Sequence, residues 1–387
     1  MSSIPGPNSH PAVVITQVRS PLSTLYYPNL TPKAGEIRIR VEWTASSPLE
    51  LHQADGGLLI QPPHIIGSSA AGTVMEVGPS SSPTNSNSSN NRFEVGDKVF
   101  GYSFKTTPER CGQVYITAAS HQYGKVPAGM SLAAVATVPA NLVTVFRAAH
   151  ADLGLDLPWP KPKGWEPAQK DDPILIWGAA GSVGMYAIQV FRHWGYENLI
   201  AVASSKHHEV LRGMGAKVAY DYNEHGVVGR VSEYASRTNG KSDGPKVPYI
   251  FDCIGSLEGT LRPLAEIAEK GTKAAILLPV IVKDATATDV PEYELDVTKT
   301  LPGKWAEGVE LNGVRAHFWE ETSGLKDRFM GEIMPTLLEE GIVQANKQRI
   351  VEGETMLERA QTALDLLREK APSGERLVWR VADDEWL

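Results

Sequence analysis

The hydrophobic pattern divides this chain into two regions. Between about residues 11 and 130, short apolar runs are repeatedly interrupted by Gly, Pro and Ser, as around residues 12–15, 71–77 and 97–100. Residues 36–42 alternate apolar and charged side chains, which is typical of a strand with one buried face. The pattern therefore predicts a β-rich, barrel-like region at the front of the chain.

The pattern changes after about residue 131, where nearly continuous apolar strands alternate with helical segments. Strands are predicted at 174–177, 199–203, 218–220, 249–251 and 274–278, and helices at 132–149, 183–194 and 209–214. Apolar strands that alternate with helices are typical of a parallel, doubly wound sheet. Two helices, 326–340 and 355–369, and a strand at 376–381 are predicted at the end of the chain. The fold class is therefore α/β.

Two segments interrupt these patterns. Ten of the twelve residues at 80–91 are Ser or Asn, a composition that cannot bury enough apolar surface to offset its ordering entropy. We predict a mobile hairpin loop there. Residues 156–170 form a second insertion, rich in Pro, Lys and Trp. The sequence leaves open whether Trp159 and Trp165 cover a pocket or pack on a neighbouring element.

Length, charge and cysteine content exclude several classes of protein. The 387 residues favour two domains, and 37 basic against 45 acidic residues give a net charge of −8 without a basic cluster. This argues against a nucleic-acid or anionic-membrane partner. No uncharged apolar stretch reaches the length of a membrane span, and the first residues lack a secretory signal, so we expect a cytoplasmic protein. Cys111 and Cys253 are the only cysteines, which excludes a disulfide scaffold or a four-thiolate zinc site.

The strongest chemical signal is a small-residue turn between a strand and a helix. The strand at 174–177 runs into Gly178-Ala-Ala-Gly181-Ser-Val-Gly184, and a helix follows. Small residues let the backbone approach a pyrophosphate, and the helix N-terminus offers N–H groups and a positive dipole end. The run reads Ala-x-Gly-x-x-Gly rather than Gly-x-Gly-x-x-Gly, but the strand–turn–helix context that this motif requires is present. It predicts a dinucleotide-binding site; the alternative is a structural turn.

The end of the next strand distinguishes the two nicotinamide dinucleotides. NAD-binding sites place an acidic residue there to hold the ribose 2′-hydroxyl. This chain has Ser204 and Lys206 instead, which favour a 2′-phosphate, and Tyr222 offers a further hydroxyl. We therefore predict NADPH as the cofactor. On its own, Lys206 would be interpreted as a solvated surface lysine.

The order of elements resembles the medium-chain dehydrogenase/reductase superfamily over nearly the whole chain. Short runs that carry the resemblance lie at residues 67–78, 93–99, 126–131, 252–255 and 373–378. The resemblance implies a GroES-like, β-rich catalytic domain formed by residues 1–140 and 320–387. It also implies a Rossmann NADPH-binding domain at residues 141–319.

Departures from the zinc-using members indicate which branch this is. Ser68 and Ser69 stand where those members carry His-Glu, and their earlier zinc cysteine is also replaced. Serine hydroxyls are poor zinc ligands, so we predict no metal. The chain resembles the zinc-free branch, which contains quinone and enoyl reductases, and most of all the fungal enoyl reductases, some of which act in trans with polyketide synthases. Those typically have Asn-Pro at Ser47-Pro48 and often Lys at His52.

The resemblance also implies roles for individual residues. Ser47, His52 and Thr144 are the candidate catalytic residues, and Ser69 would line the same cleft as Ser47 and His52. The implied cofactor contacts are Pro48, Thr144, Gly178, Ala180, Gly181, Ser182, Val183, Ser204, Lys206, Tyr222, Gly255, Leu278, Pro279 and Arg376.

Three functions are compatible with these residues. The first is zinc-independent, NADPH-dependent reduction of an activated double bond or a quinone, which needs less carbonyl polarisation than reduction of an isolated carbonyl because charge spreads into an enolate. His52 is a candidate proton donor for this reaction; a packed or surface histidine is the alternative. The second is trans-acting enoyl reduction on a carrier-bound substrate with a polyketide synthase partner. The third is a cofactor-bound protein without redox activity.

Overall fold

The structure is a computed structural model that describes residues 6, 8–79, 92–240, 243–286 and 288–386. Its strands are β1 Ser9–Ile15, β2 Ser23–Pro28, β3 Glu36–Ala45, β4 His64–Ile65, β5 Ser69–Val77, β6 Lys98–Tyr102, β7 Tyr115–Ala119, β8 Tyr123–Lys125, β9 Ile174–Trp177, β10 Leu199–Val202, β11 Val218–Tyr220, β12 Tyr249–Asp252, β13 Lys273–Leu277, β14 Val280–Lys283, β15 Glu292–Glu294, β16 Glu310–Val314, β17 Gln348–Ile350 and β18 Arg376–Arg380. Its α-helices are α1 Pro48–Gly56, α2 Leu132–Val135, α3 Pro139–Arg147, α4 Ser182–Trp194, α5 His208–Met214, α6 Val227–Thr238, α7 Arg262–Ile267, α8 Leu325–Arg328, α9 Met334–Glu339 and α10 Met356–Arg368. The loop predicted at 80–91 lies outside the described residues.

The chain forms two compact units. One contains the described residues up to Ala140 together with those from Gly324 onward, and the other is Asn141–Ser323. The chain returns to the first unit between Ser323 and Gly324, and Gly324 is the N-cap of α8.

The first unit is β-rich. A large sheet has the strand order β17-β18-β3-β5-β6-β8, with β7 also paired to β3, and a smaller sheet has the order β2-β1-β4. Along β3, Ile37, Ile39 and Val41 are buried while the charged residues between them are half-buried, as the alternating pattern predicts. These apolar side chains join one core with Trp379 of β18.

The second unit contains a six-stranded parallel sheet in the order β11-β10-β9-β12-β13-β16. Counted within this sheet, this is the doubly wound order 3-2-1-4-5-6. The strand order reverses between β9 and β12, whose last residues, Trp177 and Asp252, are paired in register. Ligands of such sheets bind outside the carboxyl ends of the strands at this reversal.

Two predicted helices are interrupted. The helix predicted at 132–149 breaks between α2 and α3, because Pro139 has no N–H to donate and its ring clashes with the preceding turn. The helix predicted at 326–340 is divided by a π-helical turn at Phe329–Ile333, just before Pro335. By length and composition Leu132–Leu153 could cross a membrane, but 67% of its most apolar window is buried inside the protein, as in the core helix of a globular fold.

The insertion at 156–170 packs on the C-terminal end of α4. The Trp194 indole N–H donates to the Pro158 carbonyl at 3.0 Å, and the Trp159 ring lies 6.3 Å from that of Trp194. Lys161 Nζ donates to the His193 carbonyl at 2.6 Å, where a cation favours the negative end of the helix dipole. This insertion therefore stabilises a helix end.

Both cysteines are buried free thiols, with 0% of Cys111 and 8% of Cys253 exposed. Burial raises the pKa of Cys111 to about 12 and raises that of Cys253 well above its ordinary value. Both side chains therefore stay protonated at neutral pH.

Candidate nucleotide-binding and active site

The turn after β9 is shaped by its hydrogen bonds to β10. The N–H groups of Gly178 and Ala179 both donate to the Val202 carbonyl at 3.0 Å. Gly181 is the N-cap of α4, and as a glycine it has no side chain that could accept the first N–H groups of the helix. The first N–H groups of a helix have no acceptor within the helix, so this end of α4 can receive an anion.

Two glycines keep this turn close to its neighbours. Gly178 has φ +75°, and a Cβ there would lie 2.4 Å from Ile254 Cγ1. A Cβ on Gly184 would lie 2.6 Å from the Ala179 Cα. Any larger residue at either position would displace the turn or α4, so both glycines are needed for the close packing of this turn.

The turn after β12 is held by a buried carboxyl group. Asp252 accepts hydrogen bonds from the Thr260 hydroxyl at 2.6 Å and from the N–H groups of Ile254 and Gly255 at 3.0 and 3.2 Å. Burial raises the pKa of Asp252 to about 6, although these three bonds act against that rise. Asp252 therefore positions Ile254 directly beside Gly178.

The predicted 2′-phosphate residues lie where β10 and β11 end. Ser204 caps the short 3₁₀ turn Ser205–His207, which contains Lys206, and Tyr222 follows β11. Lys206 is exposed, and 52% of Tyr222 is exposed. Between them, Asp221 accepts the Ser205 N–H and the Asn223 N–H, both at 2.8 Å. The hydrogen bonds from the backbone N–H groups of Asn223 and Ser205 lower the pKa of Asp221 to about 2, so it is ionised.

Helix α3 contributes one more contact to this edge. Asn141 Nδ2 donates to the Ser182 hydroxyl oxygen at 2.8 Å, which joins the start of α3 to the start of α4. Thr144 lies one helical turn after Asn141 and is buried, with 6% exposed. Residues three apart share a helix face, so Thr144 lies on the side of α3 that carries this bond.

The Asn141–Ser323 unit therefore places its predicted cofactor residues on elements that meet at the carboxyl end of one sheet. Leu278 and Pro279 follow β13 there. The others are Thr144, Gly178, Ala180, Gly181, Ser182, Val183, Ser204, Lys206, Tyr222 and Gly255.

The remaining predicted residues belong to the other unit. Ser47 is the N-cap of α1, Pro48 is in its first turn, and His52 is a half-buried residue farther along that helix. Arg376 begins β18, is buried, and donates from Nη2 to the Ala45 carbonyl at 3.3 Å. No contact among the described residues assigns a catalytic step to Ser47, His52 or Thr144, and their roles stay predictions.

Glu50 and Ser47 form a capping box at the start of α1. Its carboxylate accepts the Ser47 N–H, and the charge of Arg376 acts on it. Burial raises the pKa of Glu50 to about 7, against the effects of Ser47 and Arg376. Glu50 therefore fixes the start of α1, where Ser47 and Pro48 lie.

Replacing Glu50 by glutamine is expected to remove a pH dependence of stability. Glu50 holds a proton in the folded state up to about pH 7 but releases it near pH 4.5 when unfolded, so the free energy of unfolding falls as the pH rises through that window. The full shift corresponds to about 3 kcal/mol. Because glutamine resembles the protonated carboxyl, the thermal midpoints of the wild type and Glu50→Gln should be similar near pH 4 and separate as the pH rises, with Glu50→Gln the more stable above about pH 7. Glu94→Gln changes an exposed carboxylate in the same unit and should keep the pH dependence of the wild-type thermal midpoint. If the thermal midpoint of Glu50→Gln depended on pH as strongly as that of the wild type, the assignment would be contradicted.

Two serines lie at the positions where the resemblance predicted that zinc ligands are replaced. Ser68 and Ser69 lie at the start of β5 and are buried, with 8% and 1% exposed. Within the described ranges, no group of three or more His, Cys, Asp or Glu side chains is arranged to hold a metal ion. The donor set at these positions is therefore one that zinc binds poorly.

Three residues at the carboxyl edge were not identified from the sequence: Asn141, Asp221 and Asp252. Asp221 and Asp252 each stand at or directly after the end of a buried strand, where a side chain faces the ligand edge. That position is the signal that would have found them. Asn141 has no such signal, because its partner Ser182 lies 41 residues away.

The front region of the chain matches a known family of protein domains. Residues 33–147 match the alcohol dehydrogenase GroES-like domain. This segment includes Ser47, His52, Ser69 and Thr144, and it agrees with the β-rich first unit.

Similarity to individual proteins extends over most of the chain. It is 26% identical over 362 residues to the trans-enoyl reductase himH of Aspergillus japonicus, covering 90% of this chain and 91% of himH. It is 25% identical over 360 residues to lovC of Aspergillus terreus, the enoyl reductase component of lovastatin nonaketide synthase, covering 89% of each. The similarity therefore includes both units.

A solved structure shares the same architecture. Mycobacterial Rv1454c in complex with NADPH matches 96% of this chain and 100% of its own length, with a TM-score of 0.66 and 20% identity. At this identity the match establishes the fold.

Proposed function

The chain belongs to the medium-chain dehydrogenase/reductase superfamily of oxidoreductases, and on that premise we propose that it is a zinc-independent, NADPH-dependent reductase. Its substrates would be quinones or double bonds activated by a carbonyl group. The observation that supports this most strongly is the glycine turn at the strand-order reversal, where Gly178 and Gly184 pack too closely on Ile254 and Ala179 to carry a side chain. The first N–H groups of α4, which follow this turn, have no acceptor within the helix and can bind a pyrophosphate. Ser204 and Lys206 supply a hydroxyl and a positive charge in place of the acidic residue that NAD sites carry.

The chain's own residues would bind and orient the reactants. When bound, the cofactor would supply the hydride for the reduction. The first turn of α4 would hold the pyrophosphate, while Thr144, Gly255, Leu278 and Pro279 would hold the nicotinamide end. His52 is the proposed donor of the proton that completes the reduction at the α-carbon. Donors fixed near the enolate oxygen would stabilise the charge that develops there.

The proposal predicts both binding and turnover. Titration of the purified protein should give NADPH at least about tenfold tighter binding than NADH, since a 2′-phosphate paired with Lys206 forms a charge-assisted hydrogen bond. NADPH oxidation, followed by the loss of reduced-nicotinamide absorbance, should proceed with members of a panel of enones, quinones and enoyl thioesters, and a metal chelator should not change the rate. Absence of NADPH binding would refute the proposal, and binding without turnover by any acceptor would favour the non-redox alternative.

A carrier-bound substrate is a second candidate. It is favoured by the similarity to himH and lovC, which are named as a trans-enoyl reductase and as the enoyl reductase component of a synthase. In that case a polyketide synthase would be the partner. The enzyme would then reduce an enoyl group tethered to a carrier protein much faster than the same group on a small thiol, so comparing the two rates distinguishes the candidates.

A further inference from the structure

Asp221 is placed between the residues proposed to hold the 2′-phosphate. Its Oδ2 accepts the Ser205 N–H at 2.8 Å, across a separation of 16 residues in the chain. Its Oδ1 accepts the Asn223 N–H at 2.8 Å and the Asn223 Nδ2 at 2.9 Å. Ser205 separates Ser204 from Lys206, and Tyr222 separates Asp221 from Asn223. One carboxylate therefore ties together the two loops that carry Ser204, Lys206 and Tyr222.

We propose that Asp221 is a positioning residue for cofactor selectivity, which fixes the ends of β10 and β11 so that Ser204, Lys206 and Tyr222 converge on the 2′-phosphate of NADPH. This inference rests on the proposed function. A carboxylate at the end of β10 itself would repel a 2′-phosphate and bind a ribose hydroxyl. Asp221 instead follows β11, and its two oxygens are engaged by three N–H donors.

Charge repulsion and positioning predict opposite effects of neutralising this side chain. If Asp221 acted mainly through its charge, Asp221→Asn would strengthen NADPH binding, because a negative charge near the phosphate is removed. If it acts by positioning, the variant weakens NADPH binding, because an amide presents only one acceptor oxygen and the Ser205 N–H or the Asn223 N–H loses its partner. NADH, which lacks the phosphate, should be little affected by either mechanism.

The experiment measures the dissociation constants of NADPH, NADH, 2′,5′-ADP and 5′-ADP for the full-length protein. In Asp221→Asn we expect NADPH and 2′,5′-ADP to bind about tenfold more weakly, and NADH and 5′-ADP to stay within about twofold, since the lost bonds position charge-assisted contacts to the phosphate alone. Asp171→Asn is the matched control: it removes the same charge before β9, at the opposite edge of the sheet, and should change none of the four constants.

A second variant keeps the carboxylate and removes one of its donors. Ser205→Pro lacks the N–H that Asp221 accepts; proline is tolerated at the first position of a helical turn, and Ser204 already has the extended backbone that precedes a proline. It should shift the NADPH/NADH ratio in the same direction as Asp221→Asn, with an unchanged thermal midpoint. Tighter NADPH binding or an unchanged ratio in both variants would overturn the inference while leaving the proposed function intact. A wild-type protein without a preference for NADPH would overturn both.

Discussion

Replacing Gly178 by alanine is expected to weaken NADPH binding by about 100-fold, through a backbone strain and displacement cost of a few kcal/mol. The residue has φ +75°, a conformation that costs alanine free energy, and the added Cβ would lie 2.4 Å from Ile254 Cγ1. The turn would relieve both by moving, and movement would break the bonds of Gly178 and Ala179 to Val202. Calorimetric titration with NADPH measures the loss.

The matched control is Gly213→Ala in α5 of the same unit. No atom lies within 4 Å of a Cβ built on Gly213, and its φ is not positive. Alanine has the higher helix propensity, so this variant should retain NADPH affinity and gain up to about 1 kcal/mol of stability. Wild-type affinity in Gly178→Ala would show that the turn does not hold the dinucleotide.

Replacing Asp252 by alanine is expected to cause the largest loss of stability among these variants, about 4 kcal/mol. The side chain is fully buried, and its removal leaves the Thr260 hydroxyl and the N–H groups of Ile254 and Gly255 without their acceptor. Each unpaired buried group costs about 1–3 kcal/mol. For a unit of this size the thermal midpoint should fall by about 10 °C. Affinity for NADPH should fall as well, because Ile254 packs beside Gly178.

Two further variants test the source of that loss. Thr260→Val removes only the hydroxyl and should lower the thermal midpoint by a smaller amount. Asp171→Ala removes an exposed carboxylate and should leave the midpoint unchanged. If Asp252→Ala unfolded at the wild-type temperature, the hydrogen bonds of Asp252 would not be what holds the turn after β12.

The sequence was sufficient to locate elements whose pattern is local. β9 is found at its predicted bounds because a continuous apolar run followed by glycine leaves few alternatives, and β11 is also found at its predicted bounds. β16 has no such local signal, because Glu310, Asn312 and Gly313 leave its five residues without a continuous apolar run. Its strand conformation comes from pairing with β13 along one edge only, a tertiary effect that no local pattern encodes.

The residues of the candidate site also differ in whether a local sequence pattern identifies them. Gly178 and Lys206 could be predicted because the residues directly beside them suggest their chemistry, and their roles stay predictions. Asp221 could not be predicted, because its hydrogen bond with Ser205 forms only after β10 and β11 have paired in parallel. The effect of the Arg376 charge on the pKa of Glu50 likewise depends on the pairing of β18 with β3, which no local pattern encodes.

The burial of both thiols has a consequence for the proposed substrates. Quinones and enones are electrophiles that alkylate cysteine, and the thiolate is the form that reacts. Cys111 and Cys253 are protonated and shielded from solvent, so the enzyme offers these compounds no nucleophilic sulfur. Reactive acceptors would therefore meet no accessible thiolate on either cysteine with which to form a covalent adduct.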